Sequence, residues 1–197
     1  MGNDRDLIIT AIENTIVLKK NILADQGLIT AVARIADSIT AAFTNNRKVL
    51  LCGNGGSAAD AQHLAAEFSG RFYIDRKPLD AEALHVNTSY LTAVGNDYSF
   101  DEIFARLVMA KGRKGDILIG ISTSGNSANV VKALETAKNL EMTTVGFTGS
   151  KIGLMDAHCD HLVKIPSSDT PRIQEAHIVI GHIICELVEK KLFGARA

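Results

Sequence analysis

The sequence predicts an α/β fold, a three-layer, doubly wound parallel sheet with extra helices at the amino end. Two observations predict this class. Apolar runs of strand length alternate with segments of helical periodicity between residues 48 and 193, and this order is typical of parallel α/β sheets. The strand-length runs are also largely apolar, as expected where helices cover both faces of a sheet.

Two helices are predicted before the sheet. Apolar residues recur at helical spacing over residues 4–23 and again over 28–43. In the first segment they are expected on one face of the helix. Asn45 and Asn46 end the second segment, so a helical extension covers about residues 1–45.

The remaining elements follow in alternation. The predicted strands are 48–52, 116–121, 143–147 and 161–165, with 82–86 as a weaker candidate. The predicted helices are 57–68, 128–140 and 170–193, the last with Pro171 in its first turn, where proline is favoured. Because no low-complexity segment, long linker or solenoid repeat interrupts this order, residues 1–197 are expected to form a single domain.

Composition excludes several classes of partner. The formal net charge is -1, and no Lys/Arg run is present, so neither nucleic acid nor an anionic membrane is an expected partner. Aromatic residues make up 5% of the chain and Trp is absent, which leaves few platforms for stacked bases. An anionic substrate would therefore be held locally, by loops and helix ends.

The cysteines and the amino terminus bear on the compartment. The three cysteines, Cys52, Cys159 and Cys185, form no CxxC motif, which favours a reducing environment over a disulfide framework. The first residues carry acids and no signal-peptide core, and no uninterrupted apolar run approaches the roughly 18 residues of a membrane span. A cytoplasmic protein is expected.

The loop after the first predicted strand reads Asn54-Gly55-Gly56-Ser57. Glycines permit positive φ and close approach of backbone N–H groups to a ligand, and Ser57 is expected to cap the next helix. A tight turn without a ligand is the alternative. The loop is neither a GxGxxG fingerprint nor a Walker loop, so nucleotide binding is unsupported.

A second loop follows the strand at 116–121 and carries four hydroxyl side chains. They are Ser122, Thr123, Ser124 and Ser127. Together with the free N–H groups of the following helix, these hydroxyls can hold a phosphate without a metal or basic residues. Both loops are expected at the carboxyl ends of strands, where ligands of such sheets bind near the topological switch point. A serine-rich helix cap without a ligand is the alternative.

Acid–base and metal candidates lie on two predicted helices. His63 and Glu67 are four residues apart and share a helix face, which suits metal binding or proton transfer, although such pairs are usually solvated surface pairs. Gln174 and His182 are eight apart, roughly 12 Å of rise, which hints at a site shared between subunits. Asn96-Asp97 offers groups for sugar hydroxyls or a simple Asx turn.

Together these segments resemble the sugar isomerase (SIS) domain and, within it, the phosphoheptose isomerases. The resemblance rests on CGNGGSAADAQHLAAEFSGRF, LTAVGNDYSF, GDILIGISTSGNSANVVKA and SSDTPRIQEAHIVIGHIICELVE, which span nearly the whole chain. It implies a five-stranded parallel sheet and a homotetramer with active sites at subunit contacts.

The resemblance also implies residue roles. Substrate-binding positions would be Asn54, Gly55, Gly56, Ser57, Glu67, Asn96, Asp97, Ser122, Thr123, Ser124, Ser127 and Gln174. One zinc ion per subunit would be held by His63, Glu67, Gln174 and His182, with Glu67 and His182 as the acid–base pair. Some members have an acid where this chain has Pro171, so any role of that acid cannot be carried over.

The activity implied is isomerisation of D-sedoheptulose 7-phosphate to D-glycero-D-manno-heptose 7-phosphate, the first step of nucleotide-activated heptose biosynthesis, with lipopolysaccharide as one destination. The alternative is a non-catalytic SIS protein resembling the DnaA initiator-associating protein. Gly56 and Glu67, which that relative's pattern lacks, favour catalysis. Isomerases of arabinose 5-phosphate usually carry extra regulatory modules, for which 197 residues leave no room.

Overall fold

The computed structural model describes residues 2–194, which form a five-stranded parallel sheet between two layers of helices. The helices are α1 (Gly2–Ala24), α2 (Gln26–Thr44), α3 (Gly56–Ser69), α4 (Thr88–Asp97), α5 (Ile103–Lys111), α6 (Ala128–Asn139) and α7 (Thr170–Phe193). The strands are β1 (Val49–Gly53), β2 (Ala81–Ala83), β3 (Ile117–Ile121), β4 (Thr143–Thr148) and β5 (His161–Lys164). The predicted α/β class is confirmed.

The sheet reverses its direction of winding between β1 and β3. The strand order is β2-β1-β3-β4-β5, with every neighbouring pair parallel. From β1 the chain first moves outward to β2 and then returns to add β3 on the other side. The loops that leave β1 and β3 therefore diverge to opposite faces, and the crevice between them is where open α/β sheets bind ligands.

Each face of the sheet has its own core. Val49 and Leu51 of β1 face the layer formed by α2, α3 and α7, whereas Leu50 and Cys52 face α5 and α6. This alternation follows from the period of two along a strand. Because both faces are covered, β1 and β3 are buried at all five of their positions, which explains their continuously apolar sequences.

The region between β2 and β3 differs from the sequence expectation. The candidate strand at 82–86 is only the three-residue β2, and the helices α4 and α5 were not predicted. Asn87 caps α4, since its side chain accepts the Tyr90 N–H. Of the ten residues of α4 only Val94 is buried, so the helix lacks the apolar stripe on which a periodicity argument depends.

Helix α1 presents apolar side chains to solvent. Ile8, Ile12 and Ile16 are 57%, 56% and 48% exposed, so the apolar face predicted from the sequence does not pack into this chain's core. Contacts to α7 hold the helix in place: Thr15 Oγ1 donates to Glu175, and Arg172 donates to the Ala11 carbonyl.

Within residues 2–194, α2 is the one helix long and apolar enough, at 19 residues and mean hydropathy 1.2, to count as a candidate membrane span. One face of α2 is exposed and carries Arg34 and Asp37. On the opposite face Ile35 and Ile39 are fully buried in the core. Its buried face packs into the core between the sheet and α7.

Candidate active site

The glycine loop turns sharply from β1 into α3. Gly55 has φ +55° and is the residue immediately before the helix, a conformation that side-chain-bearing residues rarely adopt. The prediction that Ser57 caps α3 is wrong, because the positive φ of Gly55 lets the helix start at Gly56 and places Ser57 inside its first turn. Ser57 is 4% exposed.

The serine loop leaves β3 and enters α6. Ser122 Oγ lies 2.9 Å from Ser127 Oγ and 3.3 Å from Ser124 Oγ, so three of the four predicted hydroxyls converge. Gly125 adopts φ +68°, which allows the chain to double back between Ser124 and Ser127. Ser127 immediately precedes α6, so the free N–H groups at the start of that helix lie next to the serine loop.

A reciprocal amide pair joins the two loops. Asn54 Nδ2 donates to Asn129 Oδ1 at 2.9 Å, and Asn129 Nδ2 donates to Asn54 Oδ1 at 2.9 Å. Asn54 belongs to the glycine loop, and Asn129 lies in the first turn of α6, where it is 2% exposed. The pair thus holds the loops after β1 and β3 side by side at the predicted switch point.

A cavity of about 300 Å³ opens beside the serine loop at the carboxyl edge of the sheet. Thr123 and Ser124 line it from β3, while Ser150, Lys151, Ser167, Ser168 and Thr170 line it from the loops after β4 and β5 and the start of α7. Hydroxyls, backbone amides and one lysine are groups that bind phosphate esters. The cavity therefore extends the predicted anion site.

A second group of side chains gathers His63, Glu67 and His182. His63 Nε2 lies 2.8 Å from His182 Nε2 and 3.4 Å from Glu67 Oε1, and one ligand atom from each residue lies within 4.8 Å of the other two. The His63 and Glu67 side chains are 47% and 23% exposed. A small ligand or an ion can therefore reach the group from solvent.

This convergence arises because α3 and α7 lie side by side and run in the same direction. Gln174 contacts Gly56 at the start of α3, while His182 contacts His63 two turns further along both helices. A Cβ on Gly56 would come within 2.5 Å of Gln174 Nε2. The single chain therefore brings His63, Glu67 and His182 together and places Gln174 over the glycine loop, about 12 Å of helix rise from His182.

The pKa values of Cys185 and Asp60, which lie next to the cluster, are both raised. Burial raises the pKa of the Cys185 thiol to about 12, and the nearby Glu67 charge adds to the effect. Burial raises the pKa of Asp60, partly offset by His63. Asp60 Oδ2 is buried and finds no hydrogen-bond partner among the described residues.

Asn96 and Asp97 lie apart from these contacts, at the exposed carboxyl end of α4. Asn96 Nδ2 donates to Asp97 Oδ1 at 2.9 Å, which satisfies part of each side chain locally. The Asx-turn alternative does not describe them, since both residues belong to the last turn of α4. Their predicted contact with substrate stays a prediction.

Sequence reasoning missed several residues of the site. Asn129, Ser150 and Lys151 were not singled out, and no local signal marks them. Ser167 and Ser168 had a signal, because they form a polar pair just before a predicted helix. Phe72 was missed as well, and its ring lies 5.8 Å from that of His182.

Comparison with known proteins supports the resemblance to the SIS domain. A sequence-family model described as SIS domain matches residues 13–149. The chain is 54% identical over 181 residues to phosphoheptose isomerase 2 of Campylobacter jejuni, covering 92% of this chain and 90% of that protein. It is 52% identical over 192 residues to phosphoheptose isomerase of Clostridium acetobutylicum, covering 98% of each. The structure of phosphoheptose isomerase from Neisseria gonorrhoeae superposes with a TM-score of 0.89 at 40% identity, covering 94% of this chain and 98% of that one.

Proposed function

This chain belongs to the phosphoheptose isomerases of the SIS domain family, and we propose that it converts D-sedoheptulose 7-phosphate to D-glycero-D-manno-heptose 7-phosphate. The single observation that carries the proposal is the meeting of His63, Glu67 and His182 between α3 and α7, where α3 begins at the glycine loop of the switch point. The product would enter nucleotide-activated heptose biosynthesis as its first intermediate. Cytoplasmic location is part of the proposal.

Aldose–ketose isomerisation moves one proton between C1 and C2 and another between their oxygens, through an enediol. It requires a base over the carbon, a proton donor near the oxygens, and groups that stabilise the developing negative charge. We assign the proton transfers to Glu67 and His182, which approach from different helices. This role competes with zinc binding by the same residues, because a lone pair bound to zinc is not free to take a proton. The Glu67 side chain is 23% exposed, so a substrate can reach its carboxylate.

The phosphate is proposed to bind at the other end of the substrate, between the serine loop and the cavity beside it. Ser122, Thr123, Ser124 and Ser127 supply hydroxyls, and the amino end of α6 supplies N–H groups. Asn54, Gly55, Gly56, Ser57 and Gln174 are proposed to contact the sugar from the glycine loop and α7. Asn96 and Asp97 would hold further hydroxyls.

The residues of the cluster fit a zinc ion. Two imidazole nitrogens and a carboxylate oxygen within 4.8 Å of one another are a ligand set that zinc takes in catalytic sites, where one position stays open. His63, Glu67 and His182 would hold the ion, one per subunit, and its chemistry would be polarisation of the substrate carbonyl. Gln174 is proposed as a further ligand. Because it lies two turns from His182 along α7, we expect a second subunit to be involved.

Assembly into a homotetramer with shared sites is proposed from the surface of α1. Ile8, Ile12 and Ile16 form an exposed apolar stripe, and such a stripe on a soluble protein marks an interaction surface. Cyclic or dihedral homo-oligomers are the commonest way of covering such a surface. The same helix contacts α7 near Gln174 through Arg172 and Glu175, so an interface there would reach the proposed site.

The proposal is tested by incubating the purified protein with sedoheptulose 7-phosphate in D₂O and following the reaction by NMR. Appearance of an aldose heptose 7-phosphate, with deuterium at C2, is the expected result. No conversion, with or without added zinc, would eliminate the isomerase and favour a non-catalytic SIS protein. Elemental analysis after metal-free purification, followed by activity with and without returned zinc, tests the metal separately.

A further inference from the structure

The loop between α3 and β2, residues 70–80, begins three residues after Glu67 and has no helix or strand of its own. It nevertheless touches the proposed active site, because the Phe72 ring lies 5.8 Å from the His182 ring and 4.4 Å from that of Tyr73. A loop without regular hydrogen bonding is held in one conformation only when other groups satisfy its backbone. The groups that supply those hydrogen bonds therefore decide how rigidly the loop is held next to His182.

Glu189 supplies three consecutive ones. Its carboxylate accepts the N–H groups of Phe72 at 3.1 Å, Tyr73 at 2.7 Å and Ile74 at 2.9 Å. Glu189 lies on α7 seven residues beyond His182, so the two side chains leave the helix from nearly the same stripe, two turns apart. One helix thus carries both His182 and the carboxylate that fixes the loop against it.

Arg76 completes the arrangement. Its Nε donates to Glu189 Oε1 at 3.0 Å, and its terminal nitrogens donate to the carbonyls of Glu67 at 2.8 Å and Phe68 at 2.7 Å. These carbonyls belong to the last turn of α3, whose oxygens lack partners within the helix. Arg76 therefore ties the carboxyl end of α3, including the backbone of Glu67, to α7.

The pair is built into the interior. The Arg76 and Glu189 side chains are each 2% exposed, which removes water as a substitute partner. Burial alone raises the pKa of the Glu189 carboxyl, but the three N–H donors and Arg76 together outweigh it and hold this pKa below its ordinary value. The carboxylate is therefore charged near neutral pH, and each of its bonds is charge-assisted.

We propose that Arg76 and Glu189 form a clamp of positioning residues, which holds Glu67 and Phe72 in register with His182 for the isomerase reaction. Neither residue touches the substrate. The clamp fixes the distance between the carboxyl ends of α3 and α7. It thereby also fixes the separation of the Glu67 carboxylate and the His182 imidazole. The assignment of the reaction rests on the proposed function, but the clamp itself does not.

The test uses two substitutions that nearly retain side-chain size. Glu189→Gln removes the negative charge, and Arg76→Lys removes the guanidinium and its multiple N–H donors. Two matched controls exist. Glu186→Gln removes the same charge from α7 at an exposed pair with Lys190, and Arg113→Lys removes a guanidinium that also donates to backbone carbonyls, in the loop between α5 and β3.

For the clamp variants we expect kcat to fall about 100-fold, as for a displacement of roughly 1 Å in a reacting group, with KM within about threefold of the original. Zinc affinity, measured by competition with a chelating dye, should fall at least about tenfold. The Glu186→Gln and Arg113→Lys controls should leave kcat and zinc affinity unchanged. Circular dichroism and gel filtration establish that each variant is folded. A folded Glu189→Gln protein with kcat and zinc affinity within about twofold of the original overturns the proposal.

Amide exchange in the unaltered protein tests the clamp without a variant. The N–H groups of Phe72, Tyr73 and Ile74 should be protected about as strongly as those of α3, and exchange at the rate of an open loop overturns the proposal. Zinc affinity and amide protection need no substrate. If the unaltered protein fails to isomerise sedoheptulose 7-phosphate, the proposed function fails, while these two measurements still decide the clamp.

Discussion

His63 and His182 lie 119 residues apart in the chain, yet their Nε2 atoms are separated by 2.8 Å. At that distance one imidazole donates its N–H and the other presents a lone pair. The two rings also meet edge to face, with centroids 5.0 Å apart. Two helices from distant parts of the sequence therefore hold a donor and an acceptor beside Glu67.

Glu67→Gln is expected to reduce turnover by a factor of about 100 to 10,000, because an amide cannot take a proton from carbon. Binding of the sugar phosphate should be largely unchanged, since the phosphate contacts lie elsewhere. Calorimetric titration and the D₂O assay measure the two properties separately. Glu186→Gln is the control, and activity retained by the Glu67 variant would remove this residue from the acid–base role.

Gly56→Ala should impair the site without unfolding the protein. The added Cβ would meet the end of the Gln174 side chain at 2.5 Å, and that flexible group can move away. We expect a lower kcat/KM with a nearly unchanged melting temperature. Gly55→Ala should act through the backbone instead: nothing lies within 4 Å of its Cβ, but φ +55° with ψ -121° strains alanine by about 1–3 kcal/mol, so the melting temperature should fall. An unchanged kcat/KM in Gly56→Ala would show that the contact with Gln174 does not matter to the site.

His177 should make stability depend on pH. Burial lowers its pKa to about 4 from an ordinary value of 6.5, so the folded state favours the neutral ring, whose Nε2 lies 3.2 Å from the Thr148 carbonyl. The stabilising contribution is complete above pH 6.5 and is lost progressively as the pH falls toward 4, because the unfolded chain takes up the proton first. The loss is about 3 kcal/mol at most.

Urea unfolding at pH 7, 6 and 5 measures this dependence. In His177→Gln the free energy of unfolding should be lower at pH 7 but should fall less between pH 7 and pH 5. Identical slopes for the two proteins would mean that His177 does not titrate differently in the folded and unfolded states.

Ile12→Asp is expected to disrupt the proposed tetramer, because it places a charge in the exposed apolar stripe of α1 without touching this chain's core. Light scattering coupled to gel filtration should show a smaller species, accompanied by loss of activity if subunits share the site. Asn21→Asp, an exposed polar position on the same helix, is the control. An Ile12→Asp protein with unchanged mass would show that α1 is not the interface.

The sequence predicted the elements that have strong local signals. Strands such as β3 are short, apolar and bounded by glycine or serine, and α7 begins at a proline-marked turn, so their positions agree with the structure within one or two residues. Helix α4 escaped prediction because it buries only Val94 and therefore has no periodic stripe. The sequence predicted the apolar face of α1 but not its exposure to solvent. Hydrophobic periodicity indicates that one face of a helix is apolar, but it does not indicate what packs against that face.

By itself, the sequence determined the α/β class, the position of the glycine and serine loops at strand ends, and the i,i+4 relation of His63 and Glu67. These are local properties, fixed by chain geometry over a few residues. Only the tertiary structure decided that His182 contacts His63 within one chain, that Gln174 contacts Gly56, and that Arg76 and Glu189 join α3 to α7. Those contacts depend on how two helices pack against one sheet, and no spacing within either helix specifies that packing.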